Sequence, residues 1–309
     1  MQAEEPDTIQ ADRIPVIMDT DANNELDDQH AIAYMLFNSD VFDVRGITVN
    51  ATRSGGNIEQ HYEEAIRIVK LCNVDNLPVL KGADKDYNSI SPALNEETYD
   101  GKSAVDFIIS TAREMKDEKL VLIPIGKLTN IALALQQAPD IKDQVRIVWL
   151  GSNYPEPGEY NLENDTTALN YILNLEVPFE IVTVRYGKSS GSDAVRITPA
   201  EVNEHLKGKG PQVSPIIGRH GGRFSTFGDY SVSLFSKIDL YGDPPSRALF
   251  DLVAVAVLKN PDWGDQVEIP APVLINNEWV ERPENSRKIT IWENFNKSDI
   301  LEDLYTVVK

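Results

Sequence analysis

Apolar positions recur along this chain in two alternating rhythms. Short unbroken runs of β-prone residues, Ile14–Met18 and Val44–Val49, are each followed by a stretch in which apolar side chains return every three or four positions. The first such stretch starts at Leu26 and carries Ala31, Ala33, Tyr34, Leu36 and Phe37; the second spans Ile58–Leu71. The alternation continues with a strand over Leu120–Ile125 and a helix over Ile131–Ala138. A strand over Ile147–Leu150, a loop, a helix over Thr167–Leu175 and a strand over Phe179–Val184 follow. Strands interleaved with helices predict an α/β fold: a doubly wound, mostly parallel sheet with helices on both faces.

Between Gly187 and Gly242 the rhythm breaks. This stretch is rich in Gly, Ser and Lys, and its aromatics Phe224, Phe227, Tyr230 and Phe235 are spaced as on a helix, which predicts a lid-like insertion over 187–242. The rhythm resumes in the apolar helix Leu249–Leu258, β-like segments around Val267–Ile275 and Lys288–Trp292, and a terminal helix Ser298–Val308 with Ser298 as its N-cap. No low-complexity linker and no internal repeat interrupts the 309 residues, so one domain over 1–309 is expected, preceded by an extension over 1–13.

Charge and cysteine content narrow the partners. With 49 acidic residues against 29 basic ones the formal charge is −20, which repels phosphate backbones and anionic lipid, so neither nucleic acid nor membrane is the expected partner. No apolar run reaches the roughly 20 residues needed to span a bilayer. Cys72, the only cysteine, excludes an intramolecular disulfide and a thiolate metal site; it sits in the apolar run Ile66, Ile68, Val69, Leu71 and reads as a buried, inert thiol. The polar start Met-Gln-Ala-Glu-Glu-Pro-Asp lacks the apolar stretch of a signal peptide. It reads equally as a native start or as a processed end given a new Met, so the compartment is left open.

One segment stands out chemically. Asp19-Thr20-Asp21-Ala22-Asn23-Asn24-Glu25-Leu26-Asp27-Asp28 holds five carboxylates in ten residues. Helix N-caps explain one or two of them. Like charges this close oppose one another's ionisation unless a cation sits among them, and hard cations take oxygen ligands. The bland reading is a solvated acidic loop. In a doubly wound sheet, ligands bind beyond the carboxyl ends of the strands, where this segment, Ile125-Gly126 and Leu150-Gly151 all fall.

The strand–Asp-Thr-Asp–loop–Asp-Asp–helix opening resembles that of the inosine–uridine-preferring nucleoside hydrolases. Four further segments agree in order: Leu122–Ile125 running into Gly126-Lys127-Leu128-Thr129-Asn130; Val148-Trp149-Leu150-Gly151; Glu159-Tyr160-Asn161 with Asp165 after it; and Phe250-Asp251-Leu252-Val253-Ala254-Val255-Ala256. The likeness spans roughly residues 14 to 262. It implies metal-dependent hydrolysis of ribonucleosides to ribose and free base, with Ca²⁺ favoured over Mg²⁺, a nucleoside as small-molecule partner, a role in purine and pyrimidine salvage, and a homodimer or homotetramer. It further implies that Asp21 is the general base and also touches the metal. Asp28, Asp251 and the backbone carbonyl of Ile125 would complete the metal's ligands. Asp27 and Asn161 would hold the ribose 2′- and 3′-hydroxyls, and Glu159 with Asn153 would face the 5′-hydroxyl. Asp19 would tie the loop together. The family's asparagine after its second strand has two counterparts, Asn50 and Asn57, with Arg53 between them as a further substrate contact.

The chemistry is consistent with this. Cleavage of an N-glycosidic bond passes through an oxocarbenium-like state, which a negative pocket stabilises, and a bound cation lowers the pKa of water. The chain also departs from the family's pattern. Five residues, Ala22 to Leu26, separate Asp21 from the Asp pair where three are usual, which brings Asn23, Asn24 or Glu25 toward the metal. Phe250 stands where many members place a histidine beside the metal Asp, which leaves His220, Tyr230 and Tyr241 as candidates to protonate the leaving base, and Phe224, Phe227 and Tyr230 as candidates to stack on it. Three alternatives stay open at this level: an N-ribosyl substrate other than a common nucleoside, a binding protein without turnover, and a DxD-type phosphohydrolase using Lys127.

Overall fold

The structure is a computed structural model describing residues 13–309. The expected N-terminal extension therefore lies, but for Arg13, outside the described residues. Six strands of the main sheet come in chain order as β1 (Ile14–Thr20), β2 (Phe42–Val49), β3 (Val79–Lys81), β4 (Leu120–Pro124), β5 (Val145–Leu150) and β6 (Phe179–Val182), followed late in the chain by β7 (Asp265–Pro270) and β8 (Lys288–Glu293). Their spatial order is β7-β8-β6-β5-β4-β1-β2-β3. All neighbours are parallel except β7, which runs antiparallel to β8 at the edge. The chain winds outward from β1 through β2 to β3, then returns to the other side of β1 and winds through β4, β5 and β6. The reversal of direction falls between β1 and β4, and that crevice is where a doubly wound sheet binds ligands. The expected fold class is the observed one.

β1 lies at the centre because it can be covered on both faces: Val16, Ile17 and Met18 are fully buried. On one face pack the helices α1 (Asp27–Phe37) and α2 (Ile58–Leu71); on the other, α3 (Lys102–Glu114) and α4 (Thr129–Gln137). Then come the short α5 (Tyr160–Asn164), α6 (Thr166–Leu173), α7 (Pro199–His205), α8 (Phe227–Phe235), α9 (Phe250–Lys259) and α10 (Lys297–Val307). α3 and β3 fall outside the sequence expectation, although Val105, Ile108, Ile109 and Ala112 of α3 follow a helical repeat and are buried as such. The expected strand around Val267–Ile275 divides into β7 and a separate Val273–Ile275 ribbon partner, since Pro270 and Pro272 interrupt the ladder. Ser298 is not the N-cap of the terminal helix: α10 begins one residue earlier, and Asn296 accepts from the Asp299 N–H.

The stretch 187–242 holds α7, α8, a two-stranded ribbon of Ile216–Ile217 with Arg223–Phe224, and the strand Arg196–Ile197, which pairs with Arg247–Ala248 beyond it. Its aromatics Phe227, Tyr230 and Phe235 are buried in the core shared with α1 and α9, with His30 of α1 edge-on to Phe227 and Phe235. Phe227 and Tyr230 are therefore core residues and not a platform for a base; the Phe224 ring lies tilted against that of Tyr230, with centres 5.2 Å apart.

Candidate active site

The end of β1 supplies the first carboxylates. Asp19 is fully buried and accepts hydrogen bonds from the Thr48 hydroxyl (2.6 Å), Asn130 Nδ2 (2.7 Å) and Asn50 Nδ2 (2.9 Å), tying β1 to β2 and to the start of α4. It is structural, as expected. Thr20 donates to Asp28 Oδ1 at 2.5 Å. Asp21 accepts from Asn24 Nδ2 (2.6 Å) and from the Thr52 hydroxyl on one oxygen, so the lengthened loop does reach the site through Asn24; its other oxygen, Oδ1, is buried and has no partner.

Two helix N-termini then bring in the rest. Asp27 and Asp28 open α1, and Asp251 lies in the first turn of α9, the helix against which α1 packs. Acidic groups suit that position because the free N–H donors of a first turn favour negative charge. Asp27, Asp28 and Asp251 each place a carboxylate oxygen within 4.8 Å of the others. Burial pushes Asp19 up to about 6 and Asp21 and Asp27 up to about 7, with neighbouring carboxylates adding to the shift of the latter two. Asp28 and Asp251 are held well above the usual carboxylate range by burial first, then by the surrounding acids.

Such a set is costly as bare anions and is suited to a cation. Asp28 Oδ2, like Asp21 Oδ1, is buried without a partner, and the donors are all oxygen. The residues present fit a hard divalent ion. Compared with the expected ligand set, Asp27 joins the carboxylate cluster while Asp21 lies outside that close trio. Gly126, two residues past the end of β4, makes room for this arrangement: a Cβ there would meet Asp21 Oδ1 at 2.8 Å and the Asn50 amide at 2.9 Å.

The cluster opens into a cavity of about 400 Å³ lined by Asp27, Asp251, Ile125, Glu159 and Asn161, with Asn24, Glu25, Tyr160, Tyr186, Arg196, Tyr241, Arg247 and Phe250 around them. Asn161 Nδ2 donates to the carbonyls of Ile125 (3.0 Å) and Leu150 (3.1 Å), joining the ends of β4 and β5; the Ile125 oxygen keeps a second lone pair. Glu159 caps α5, its carboxylate accepting from the N–H groups of Ser152, Asn161 and Leu162, all at 2.9 Å, while burial raises its pKa.

Other expected site residues lie elsewhere. Asn153 accepts from the Tyr186 N–H and lines a separate cavity with Arg185 and Lys188, because the Ser152–Gly158 loop turns it away from the acids. Asn57 caps α2 in a reciprocal box with Gln60, so its side chain is spent on the helix end. Asn50 lies behind the cavity lining, bonded to Asp19, with its Oδ1 unpartnered beside Gly126. His220 is outside the cavity lining and accepts from Arg219 Nε at 3.1 Å; Tyr230 is buried with its hydroxyl donating to Glu64. Arg53 pairs with Glu163 and stacks over Tyr160, outside the cavity lining itself. Lys127 donates to the carbonyls of Asp84 and Lys85, which removes the phosphate partner that a phosphohydrolase needs. His61 is a buttress: its Nδ1 lies 2.8 Å from the Asp21 carbonyl and 3.1 Å from the Asn23 N–H. Tyr186, Arg196 and Arg247 carry no motif that would mark them; folding alone brings them to the cavity.

Known proteins resemble this chain in sequence and in fold. The family model described as inosine-uridine preferring nucleoside hydrolase matches residues 16–298. A pyrimidine-specific ribonucleoside hydrolase, RihA, from Escherichia coli O1:K1 is 28% identical over 187 residues, 53% of this chain and 58% of RihA. An uncharacterized Schizosaccharomyces pombe protein is 26% identical over 212 residues, 60% of this chain and 66% of its own. The matched region thus spans 58 to 66% of the length of these curated relatives. Among solved structures, a plant nucleoside hydrolase, PpNRh1, superposes with a TM-score of 0.74 at 16% identity, covering 96% of this chain and 99% of its own. A purine-preferring ribonucleoside hydrolase from Gardnerella vaginalis gives 0.69 at 22% identity, covering 95% and 98%. At these identities the structural likeness is one of fold.

Proposed function

We propose a reaction for this chain on the premise that it belongs to the inosine-uridine preferring nucleoside hydrolase family: hydrolysis of the N-glycosidic bond of a ribonucleoside to ribose and the free base. The observation that carries the reading is the buried Asp27, Asp28 and Asp251 cluster, with the free oxygen of Asp21, at the β1–β4 crevice and open to a nucleoside-sized cavity. Asp28, Asp251, Asp21 and the Ile125 carbonyl would hold a divalent cation, with Asp27 beside them; all-oxygen donors and the family resemblance favour Ca²⁺. When bound, that ion supplies the Lewis acidity that lets water lose a proton near neutral pH.

The remaining steps belong to the chain. Asp21, steadied by Thr52 and Asn24, takes the proton from the attacking water at Oδ1. Asp27 and Asn161 orient the ribose hydroxyls, and Glu159, fixed by three backbone N–H groups, faces the sugar from the α5 side. The buried negative charge favours the oxocarbenium-like state as the bond to the base lengthens. The homodimer or homotetramer and the place in nucleoside salvage are carried over from the resemblance alone.

Incubation with inosine, uridine, adenosine, guanosine and cytidine, with ribose assayed, tests this. Ribose release should vanish with chelator and fall by about a thousandfold in Asp21→Ala. Binding of nucleosides without release from any of them would replace the hydrolase with a binding protein.

A further inference from the structure

The cavity carries a positive pole as well as a negative one. Both strands of the ribbon that pairs Arg196–Ile197 with Arg247–Ala248 put an arginine on its wall. The two differ in what they have left to give. Arg196 is spent: Nε donates to the Ser246 hydroxyl (3.0 Å), Nη1 to Asp193 (2.8 Å) and Nη2 to the Ser246 carbonyl (3.1 Å). Arg247 is not. Its Nη2 pairs with Glu25, from the lengthened loop, and with none of the clustered acids; its Nη1 has only a 3.5 Å contact to the Asp239 carbonyl; and its Nε is buried with no partner. The residue is 8% exposed and its guanidinium lies 5.4 Å from the centre of the Tyr241 ring, which holds it at the cavity wall.

Acids able to protonate a departing base are scarce on this side. Among the described residues no His, Cys or Lys lines the cavity, and Phe250 precedes Asp251. The phenol of Tyr160 is committed to Thr52 and Ser54, and burial raises that of Tyr186 further above neutrality; of the acids expected from the sequence only Tyr241 lines the cavity, half-exposed and with its ring against the Arg247 guanidinium. Tyr241 apart, hydrolysis needs another way to handle the electron pair that the base takes with it.

Resting on the hydrolase reading above, we propose that Arg247 is the leaving-group residue, whose remaining Nη N–H groups donate to an acceptor atom of the base and hold the charge that develops there, so that the base departs as an anion. The bookkeeping closes without an acid. The bond from C1′ to the base nitrogen breaks with both electrons going to nitrogen; water adds to C1′ and gives its proton to Asp21; the base anion takes a proton from solvent after release, and Asp21 returns its own to solvent. The guanidinium keeps its protons throughout. A charged donor aimed at developing negative charge in a shielded cavity is among the stronger single contributions to catalysis.

The test compares two leaving groups across wild type, Arg247→Met and Arg247→Lys, with thermal melting to confirm that each is folded. One substrate is the natural nucleoside that wild type cleaves fastest; the other is p-nitrophenyl β-D-ribofuranoside, whose leaving group carries its own charge well. Arg247→Met should lower kcat/KM on the nucleoside about 100-fold and on the p-nitrophenyl compound less than about threefold, with Arg247→Lys between. Equal losses on both substrates would make Arg247 a mere tether for the Glu25 loop and overturn the inference, as would no loss on either. Wild type inactive on every nucleoside and on the p-nitrophenyl compound would instead sink the hydrolase reading and this inference with it.

Discussion

At the scale of single residues, the site is a problem of crowding solved by a missing side chain. Asp21 and Asn50 converge on Gly126, and any Cβ at that position would sit within 3 Å of both. Gly126→Ala should therefore push Asp21 off its position. The expected result is a weaker metal site, seen as a right-shifted calcium titration of activity, with a stability loss of about 1–3 kcal/mol in thermal or denaturant unfolding. This close approach was not legible in the sequence: Gly126 read there only as part of a strand-end motif, and nothing local says which side chains just past β1 and β2 face it. The carboxylates were legible, because five acids in ten residues demand an explanation that helix caps cannot supply.

Elements explain where residue-by-residue reading goes astray. Asn50 and Asn57 both looked like candidates for a substrate contact, and the helix boundary decides between roles for Asn57. It is the residue before α2, where its side chain accepts from the N–H groups of Glu59 and Gln60 while Gln60 reaches back. Asn57→Ala should cost about 1 kcal/mol of stability and leave kcat/KM on any nucleoside unchanged, which unfolding curves and steady-state kinetics would check together. A loss of activity at unchanged stability would return Asn57 to the site. Asn153 misled for a related reason: it lies on an irregular loop whose course no periodicity fixes, and that loop turns it toward Tyr186. The aromatics of α8 kept to the ordinary meaning of helical spacing, since a face with Phe227, Tyr230 and Phe235 finds its partner in α1.

For the whole molecule, the acidic cluster couples folding to pH and, with a cation held as proposed, to metal. Asp19, Asp21 and Asp27 have folded pKa values raised to about 6, 7 and 7 from an ordinary 3.8, so in the metal-free protein the folded state holds protons that the unfolded chain has released. Stability of the metal-free form is then highest below about pH 4 as far as these groups are concerned, and it declines as pH rises through 4 to 7. A cation replaces those protons, so its stabilising effect should grow over the same interval. The difference in Tm between calcium-loaded and chelated protein should be small near pH 5 and widen by pH 8; a difference independent of pH would contradict the link between cluster and metal. Sequence by itself determined the α/β class and most strands of the doubly wound sheet, β3 excepted, because alternating apolar runs and amphipathic repeats are local signals that survive without knowledge of contacts. It also determined the carboxylates at the strand ends and, through five motifs in order, the family. Only the tertiary structure decided that Asp27 stands with Asp28 and Asp251, that Asn57, Asn153 and His220 stand apart, and that Arg247 reaches the cavity. Those outcomes depend on how α1, α9 and a two-residue ribbon pack against one another, and contacts between residues more than 200 positions apart, such as Glu25 with Arg247, leave no periodic trace in the chain.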